Sequence, residues 1–253
     1  DAMRFARGKT ERLNRYPEWT KRAHENSCLF ADEIHQLKKN SFYLAPGALP
    51  KSDVLILRRK VFNALRSTLS GRKVRNFVTS NAATHITDPT YKTFSASEDL
   101  SHAWNVLPGL SLANPLLDVP EIVHILENEL LQGIITGFYE SIPKLTFAKG
   151  RISFNNSLGP LDTQLWHSDP QSFRNLKVLI YLTDVDEDSG PFEIIKGSHI
   201  EKFEGWYNPR APLPHESTTS STRHSSEKLL EIYGKNRCHK VLGNPGDIIF
   251  ADA

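Results

Sequence analysis

Long apolar runs are absent from this 253-residue chain. The longest, Val178-Leu179-Ile180-Tyr181-Leu182, falls far short of the roughly 20 residues a helix needs to cross a bilayer, so no membrane association is expected. Cysteine is scarce too. Cys28 and Cys238 are widely separated and have neither metal-ligand nor disulfide-framework spacing around them. Net charge is small, with 31 Lys and Arg against 29 Asp and Glu, so no global field draws the chain to nucleic acid. The basic residues Arg4, Arg7, Lys9 and Arg12 lead into no apolar stretch. No secretory signal is visible, and the cytoplasm is the expected compartment. Internal repeats are lacking as well. What remains is an ordinary globular composition, 39% hydrophobic and 24% charged, which excludes disorder, collagen and coiled coil. The length suits one large mixed domain.

The first part of the chain, 1–142, reads as mainly helical. Residues 1–40 suggest irregular structure and short helices, and Pro46, Gly47 and Pro50 mark a turn. A helix is expected from Lys51, with Ser52 or Asp53 as its N-cap, because Val54, Leu57, Val61, Leu65 and Leu69 recur at helical spacing. Eight basic residues between Lys51 and Arg75, against the single acid Asp53, fall largely on the other side. They read as a solvated face, with an anionic-ligand or partner surface as the alternative. A second helix is expected over 120–137, with a proline in its first turn.

From about residue 143 the hydrophobic period changes to that of strands. Residues 145–154 alternate, 176–183 form a buried-strand run, and 191–195 and 247–250 are further short strands. Asp188-Ser189-Gly190-Pro191 and Asn244-Pro245-Gly246-Asp247 are expected hairpin turns. Residues 213–226 form a polar excursion, followed by a short helix near 227–233. Helices first and short strands later point to an α+β fold with helices packed on one side of a sandwich or barrel.

The chemistry centres on Trp166-His167-Ser168-Asp169-Pro170. On an extended segment, residues two apart point to the same face, so the His167 imidazole and the Asp169 carboxylate can reach one cation. That supplies two of the three ligands of a 2-His-1-carboxylate site for Fe(II), which leaves positions open for co-substrate and oxygen. An anionic co-substrate at such a site would also need a cation or hydroxyl partner. Lys177, with Thr183 on the same strand face, is the candidate contact; an edge-strand lysine directed to solvent is the alternative. Arg151 and Asn155 share a face of the preceding strand and are further candidates. The acidic stretch Asp184, Asp186 and Asp188 imitates the start of a calcium loop, but Ser189 replaces its glycine and Ile195 its terminal Glu, so a solvated turn fits better.

Taken in order, Trp166-His167-x-Asp169, Tyr181-Leu182-Thr183-Asp184-Val185-Asp186, Ser189-Gly190-Pro191-Phe192, Gly197-Ser198-His199 and the run from Pro245 to Asp252 resemble the phytanoyl-CoA dioxygenase family of Fe(II)/2-oxoglutarate-dependent oxygenases. The resemblance covers 145–253, and the segment from Phe42 to Gly47 is similar to that family's entry segment. It implies a single oxygenase domain over 1–253. Its core would be a double-stranded β-helix (jelly-roll, cupin-like), occupying 143–253 and flanked by N-terminal helices. It implies that His167 and Asp169 ligate iron, with 2-oxoglutarate and O2 as co-substrates for hydroxylating a small molecule. Halogenating relatives lack the carboxylate, so Asp169 favours hydroxylation. The second iron-binding His and the Arg for 2-oxoglutarate would follow Ala253, which suggests a domain cut before its closing strands. His239 and His199 are weaker candidates for that His. Trp206, Tyr207 and Arg210, near the expected pocket mouth, are the candidate substrate contacts. A non-catalytic jelly-roll binding module is the alternative reading.

Overall fold

Strand β7, Ile248–Asp252, is the centre of the main sheet and the most completely buried element, with Ile248, Ile249, Phe250 and Ala251 all inaccessible to solvent. A continuous apolar run of this kind forms when both faces of a strand are covered. In the computed structural model, which describes residues 17–71, 109–112, 115–153, 164–167, 175–199 and 225–252, both faces are indeed packed.

Along the chain, α1 (Pro17–Leu29) and α2 (Ala31–Asn40) precede β1 (Phe42–Ala45) and the long α3 (Lys51–Gly71). Next come β2 (Gly109–Leu112), α4 (Pro115–Asp118), α5 (Ile122–Leu126), α6 (Glu129–Tyr139) and β3 (Gly150–Ser153). The remainder comprises β4 (Leu176–Ile180), β5 (Phe192–Ile195), α7 (Ser226–Tyr233), β6 (Cys238–Val241) and β7. The fold is mixed, with helices and small antiparallel sheets.

β7 pairs antiparallel with β1 on one side, Phe42 opposite Ala251, and with β4 on the other, Lys177 opposite Ala251. β5 pairs with β6, Ile194 opposite His239, and β2 pairs with β3. Strand alternation divides the three-stranded sheet cleanly. Tyr43, Ala45, Val178, Ile180, Ile248 and Phe250 join a core with Leu57, Val61, Leu131, Ile134 and Phe138 of the helices. Phe42, Leu44, Leu179, Tyr181, Ile249 and Ala251 join a second core with Phe192, Ile194 and Val241 of the β5–β6 pair. The main sheet therefore lies between a helical layer and a two-stranded sheet.

Helix α3 begins at Lys51 and buries Val54, Leu57, Val61 and Leu65, as its periodicity predicts. Its cap differs from expectation. The Pro50 carbonyl accepts from the Asp53 and Val54 amides, while the Ser52 hydroxyl donates to the Asp53 carboxylate. The helix expected over 120–137 is broken in two. Asn128, extended at ψ 125°, ends α5 and caps α6, its side-chain oxygen accepting from the Leu131 amide at 3.0 Å. α6 then packs on α1 and α2 through its glycine face: Gly133 lies under the Phe30 ring and Gly137 under Ile34, while Asn26 donates to Thr136 at 2.6 Å.

Two expected hairpins are crossings instead. Asp188 to Pro191 leads from β4 in the main sheet to β5 in the other, and Asn244 to Asp247 leads from β6 back to β7. The turn chemistry is as expected: the Ser189 hydroxyl and the Asp188 amide donate to the Asp186 carboxylate, holding its pKa below the usual carboxylate value. The flanking strands simply find better partners elsewhere. The expected strand over 145–154 is present only as Gly150–Ser153, and the one over 176–183 ends at Ile180.

Candidate functional site

His167 is half-buried and its Nδ1 lies 2.7 Å from the Leu165 carbonyl oxygen. A carbonyl only accepts, so Nδ1 carries the proton and, in the neutral ring, Nε2 carries the lone pair. A backbone carbonyl on the far nitrogen is also the usual way in which a metal-ligating imidazole is oriented and its tautomer selected. Asp169 lies outside the described residues, as do Asn155, Trp206, Tyr207 and Arg210. Among the described residues no three His, Cys, Asp or Glu side chains cluster closely enough to hold a metal ion.

Lys177 is half-buried on β4. Its neighbours Leu176 and Val178 face the helical core, whereas Leu179 and Tyr181, which share its face by alternation, pack toward the β5–β6 pair. Lys177 therefore stands on the sandwich-facing side of the main sheet, in one cross-strand row with Ala251 and Phe42. The small Ala251 separates a cation from an aromatic ring on this row.

The other described candidates are placed differently from expectation. Thr183 follows the end of β4 in an exposed bend, so it does not share a strand face with Lys177. β4 ends early because the chain turns after Tyr181 to form the Val185–Gly243 bridge. Arg151 is exposed on β3, while Ile152 beside it turns into the helical core. β3 pairs with β2 rather than with the main sheet, which sets Arg151 on a separate ribbon.

Both described alternative imidazoles have structural surroundings. His199, in the Gly-Ser-His turn, sets Nδ1 2.6 Å from the hydroxyl of Ser41, a fully buried residue with left-handed φ of 70°. The same turn donates the Gly197 amide to the Asn40 carbonyl at the end of α2. His239 faces inward from β6 and stacks on Phe42 with ring centroids 5.0 Å apart. Burial, and then the positive charge of Lys196, push its pKa below the ordinary histidine value.

The groups that brace this region carry no recognisable sequence signal of that role. Tyr181 crosses between the sheets, its hydroxyl donating to the Val241 carbonyl at 2.6 Å and accepting from the Phe192 amide at 3.3 Å. Burial raises its pKa. Asp247, nearly fully buried, accepts from the Gly47 and Asn244 amides, both at 2.7 Å. The only local signal was that Gly47 and Asp247 each belong to a Pro-Gly turn; nothing in either turn says that the two meet.

No protein-family model matches this sequence, and no curated protein matches it significantly.

Proposed function

We propose that the chain is a non-haem Fe(II)- and 2-oxoglutarate-dependent dioxygenase that hydroxylates a small-molecule substrate on a jelly-roll core. The observation that carries this reading is the Nδ1–H of His167 donating to the Leu165 carbonyl, which leaves Nε2 as the ligating nitrogen. The His-x-Asp spacing supports it, since it lets Asp169 join His167 on one face of an extended segment. Two facing sheets linked by crossing turns support the jelly-roll.

His167 and Asp169 would hold the iron. His199, turned to Ser41, and His239, stacked on Phe42, are held in other contacts. The reading needs a second imidazole besides these two to complete the set of iron ligands. Bound iron supplies the coupling of 2-oxoglutarate decarboxylation, to succinate and CO2, with hydroxylation by O2. The chain's own residues bind and orient. Lys177 balances the far carboxylate of 2-oxoglutarate, and Phe42, Leu44, Leu179 and Ile249 keep the space beside it dry, which strengthens that ion pair.

The test is anaerobic titration of the full-length protein with Fe(II) and 2-oxoglutarate. The visible charge-transfer absorption of 2-oxoglutarate chelated to iron should form in the wild type and vanish in His167→Ala and Asp169→Ala, with the far-ultraviolet circular dichroism unchanged. Failure of the wild type to bind iron or 2-oxoglutarate would favour a non-catalytic jelly-roll binding module. Iron binding that survives both substitutions would remove His167 and Asp169 from the site.

A further inference from the structure

Helix α3 has two apolar faces, and among the described residues only one is packed into the core. Val54, Leu57, Val61 and Leu65 are buried in the helical core. Leu55, Ile56 and Phe62 are 62%, 42% and 36% exposed. Leu55, Arg58, Arg59 and Phe62 follow each other at i, i+3, i+4 and i+7, so they form one stripe along the outer side of the helix. Together with Ile56 they line an open groove of about 470 Å3. An apolar floor of this kind on a charged surface marks a contact site more often than an isolated exposed leucine does.

The charges along the groove select its occupant. Arg58 and Arg59 are exposed and form no ion pair or hydrogen bond among the described residues. Nearby carboxylates are already engaged, Glu121 by Lys60 at 3.1 Å and Asp53 by the Ser52 hydroxyl. A second copy of the same stripe would set Arg58 and Arg59 against their own counterparts, which disfavours self-association through this face.

We infer that the outer face of α3 is a docking site for an acidic amphipathic segment of another protein. Leu- or Phe-type anchors of the partner fill the groove between Leu55, Ile56 and Phe62, and flanking Asp or Glu side chains pair with Arg58 and Arg59. An amphipathic helix laid along a groove reads such anchors at i, i+3, i+4 and i+7. Arginine suits this role because its planar fork takes a carboxylate in bidentate fashion.

The inference is tested by selecting displayed helical peptides, with Leu or Phe anchors at that spacing and randomised Glu or Lys flanks, against the intact chain. Glu-flanked peptides should be enriched. Their dissociation constants should rise about tenfold or more in Arg58→Glu/Arg59→Glu and in Leu55→Asp, and should rise with added salt. All three positions are solvent-facing, so the melting temperatures of both variants should match the wild type and separate lost docking from lost folding. No enrichment over the Arg58→Glu/Arg59→Glu protein means that the groove is closed within the chain, and overturns the inference. Selection of Lys-flanked peptides overturns it too, as does stronger binding to phosphatidylserine vesicles than to any selected peptide.

Discussion

The Asp247 carboxylate holds the Gly47 amide at 2.7 Å across 200 positions of sequence. Its other oxygen takes the Asn244 amide at the same distance, and the Leu49 amide donates to the Gly246 carbonyl beside it. The turn that leads from β1 to α3 is thus tied to the turn that launches β7. Gly47 has φ of +60°, a left-handed conformation that leaves its amide directed at the carboxylate without steric cost. Replacing Asp247 with Asn turns one acceptor into a donor facing an N–H. The Asp247→Asn variant should lose about 2 to 4 kcal/mol by denaturant unfolding, from charge-assisted bonds and a buried unsatisfied group. A loss below about 0.5 kcal/mol would mean that the latch is incidental.

Lys177 tests the co-substrate part of the proposed function apart from the metal. Lys177→Met keeps the length of the stem and its packing beside Leu179 but removes the charge. The expected outcome is a rise of about tenfold or more in the dissociation constant for 2-oxoglutarate, read by titration of the Fe(II) protein, with iron content unchanged. Unchanged 2-oxoglutarate affinity would return Lys177 to the role of a lysine at the margin of the sheet.

Gly133 should resist a substitution that ordinarily strengthens helices. Alanine in place of glycine inside a helix gains about 1 kcal/mol. At Gly133, however, a Cβ would overlap the Phe30 ring, and at Gly137 one would lie 2.6 Å from the Ile34 side chain. Gly133→Ala is therefore expected to destabilise by about 1 to 3 kcal/mol through overpacking. A double-mutant cycle with Phe30→Ala should recover part of that loss, and strict additivity would rule out the contact as its cause.

His239 gives stability a defined pH dependence. Its folded pKa is depressed by burial and by Lys196, so the unfolded chain binds its proton more readily than the folded chain does. The associated stability is complete above the unfolded value of about 6.5 and is lost as pH falls through the lower folded value. Between those values His239→Gln should show a shallower acid decline in unfolding free energy than the wild type. Parallel wild-type and variant curves would show that His239 does not titrate differently on folding.

Much of the local structure was legible because it depends on short-range geometry. The spacing of Val54, Leu57, Val61 and Leu65 marks the core face of α3, and Ser225 and Gly234 bound α7 as cap residues do. The break at Asn128 was legible in principle, since Asn is a strong N-cap, but the continuing apolar spacing of Ile122, Ile125 and Leu131 concealed it. For the candidate site, residue type and His-x-Asp spacing marked His167, and the local backbone conformation adds the Leu165 carbonyl, two residues back, that selects its tautomer. Lys177 was legible as a strand residue; its side of the sheet became definite only once Leu179 and Tyr181 were seen packed against the β5–β6 pair. Thr183 was misplaced because alternation was carried past the real end of β4, and Arg151 because β3 pairs with β2 and not with the main sheet.

By itself the sequence determined which residues share a face, where helices and turns lie, and which residue types are candidate metal ligands. These follow from backbone geometry over a few residues, where each side chain's direction is set by the period of its own element. Only the tertiary structure decided that β7 pairs with β1 and β4, that two turn motifs cross between sheets, and that Ser41 meets His199 and Asp247 meets Gly47. Those pairings join segments remote in sequence. They are chosen by how completely many strands and helices bury one another at once, a sum over the whole chain that no local pattern contains.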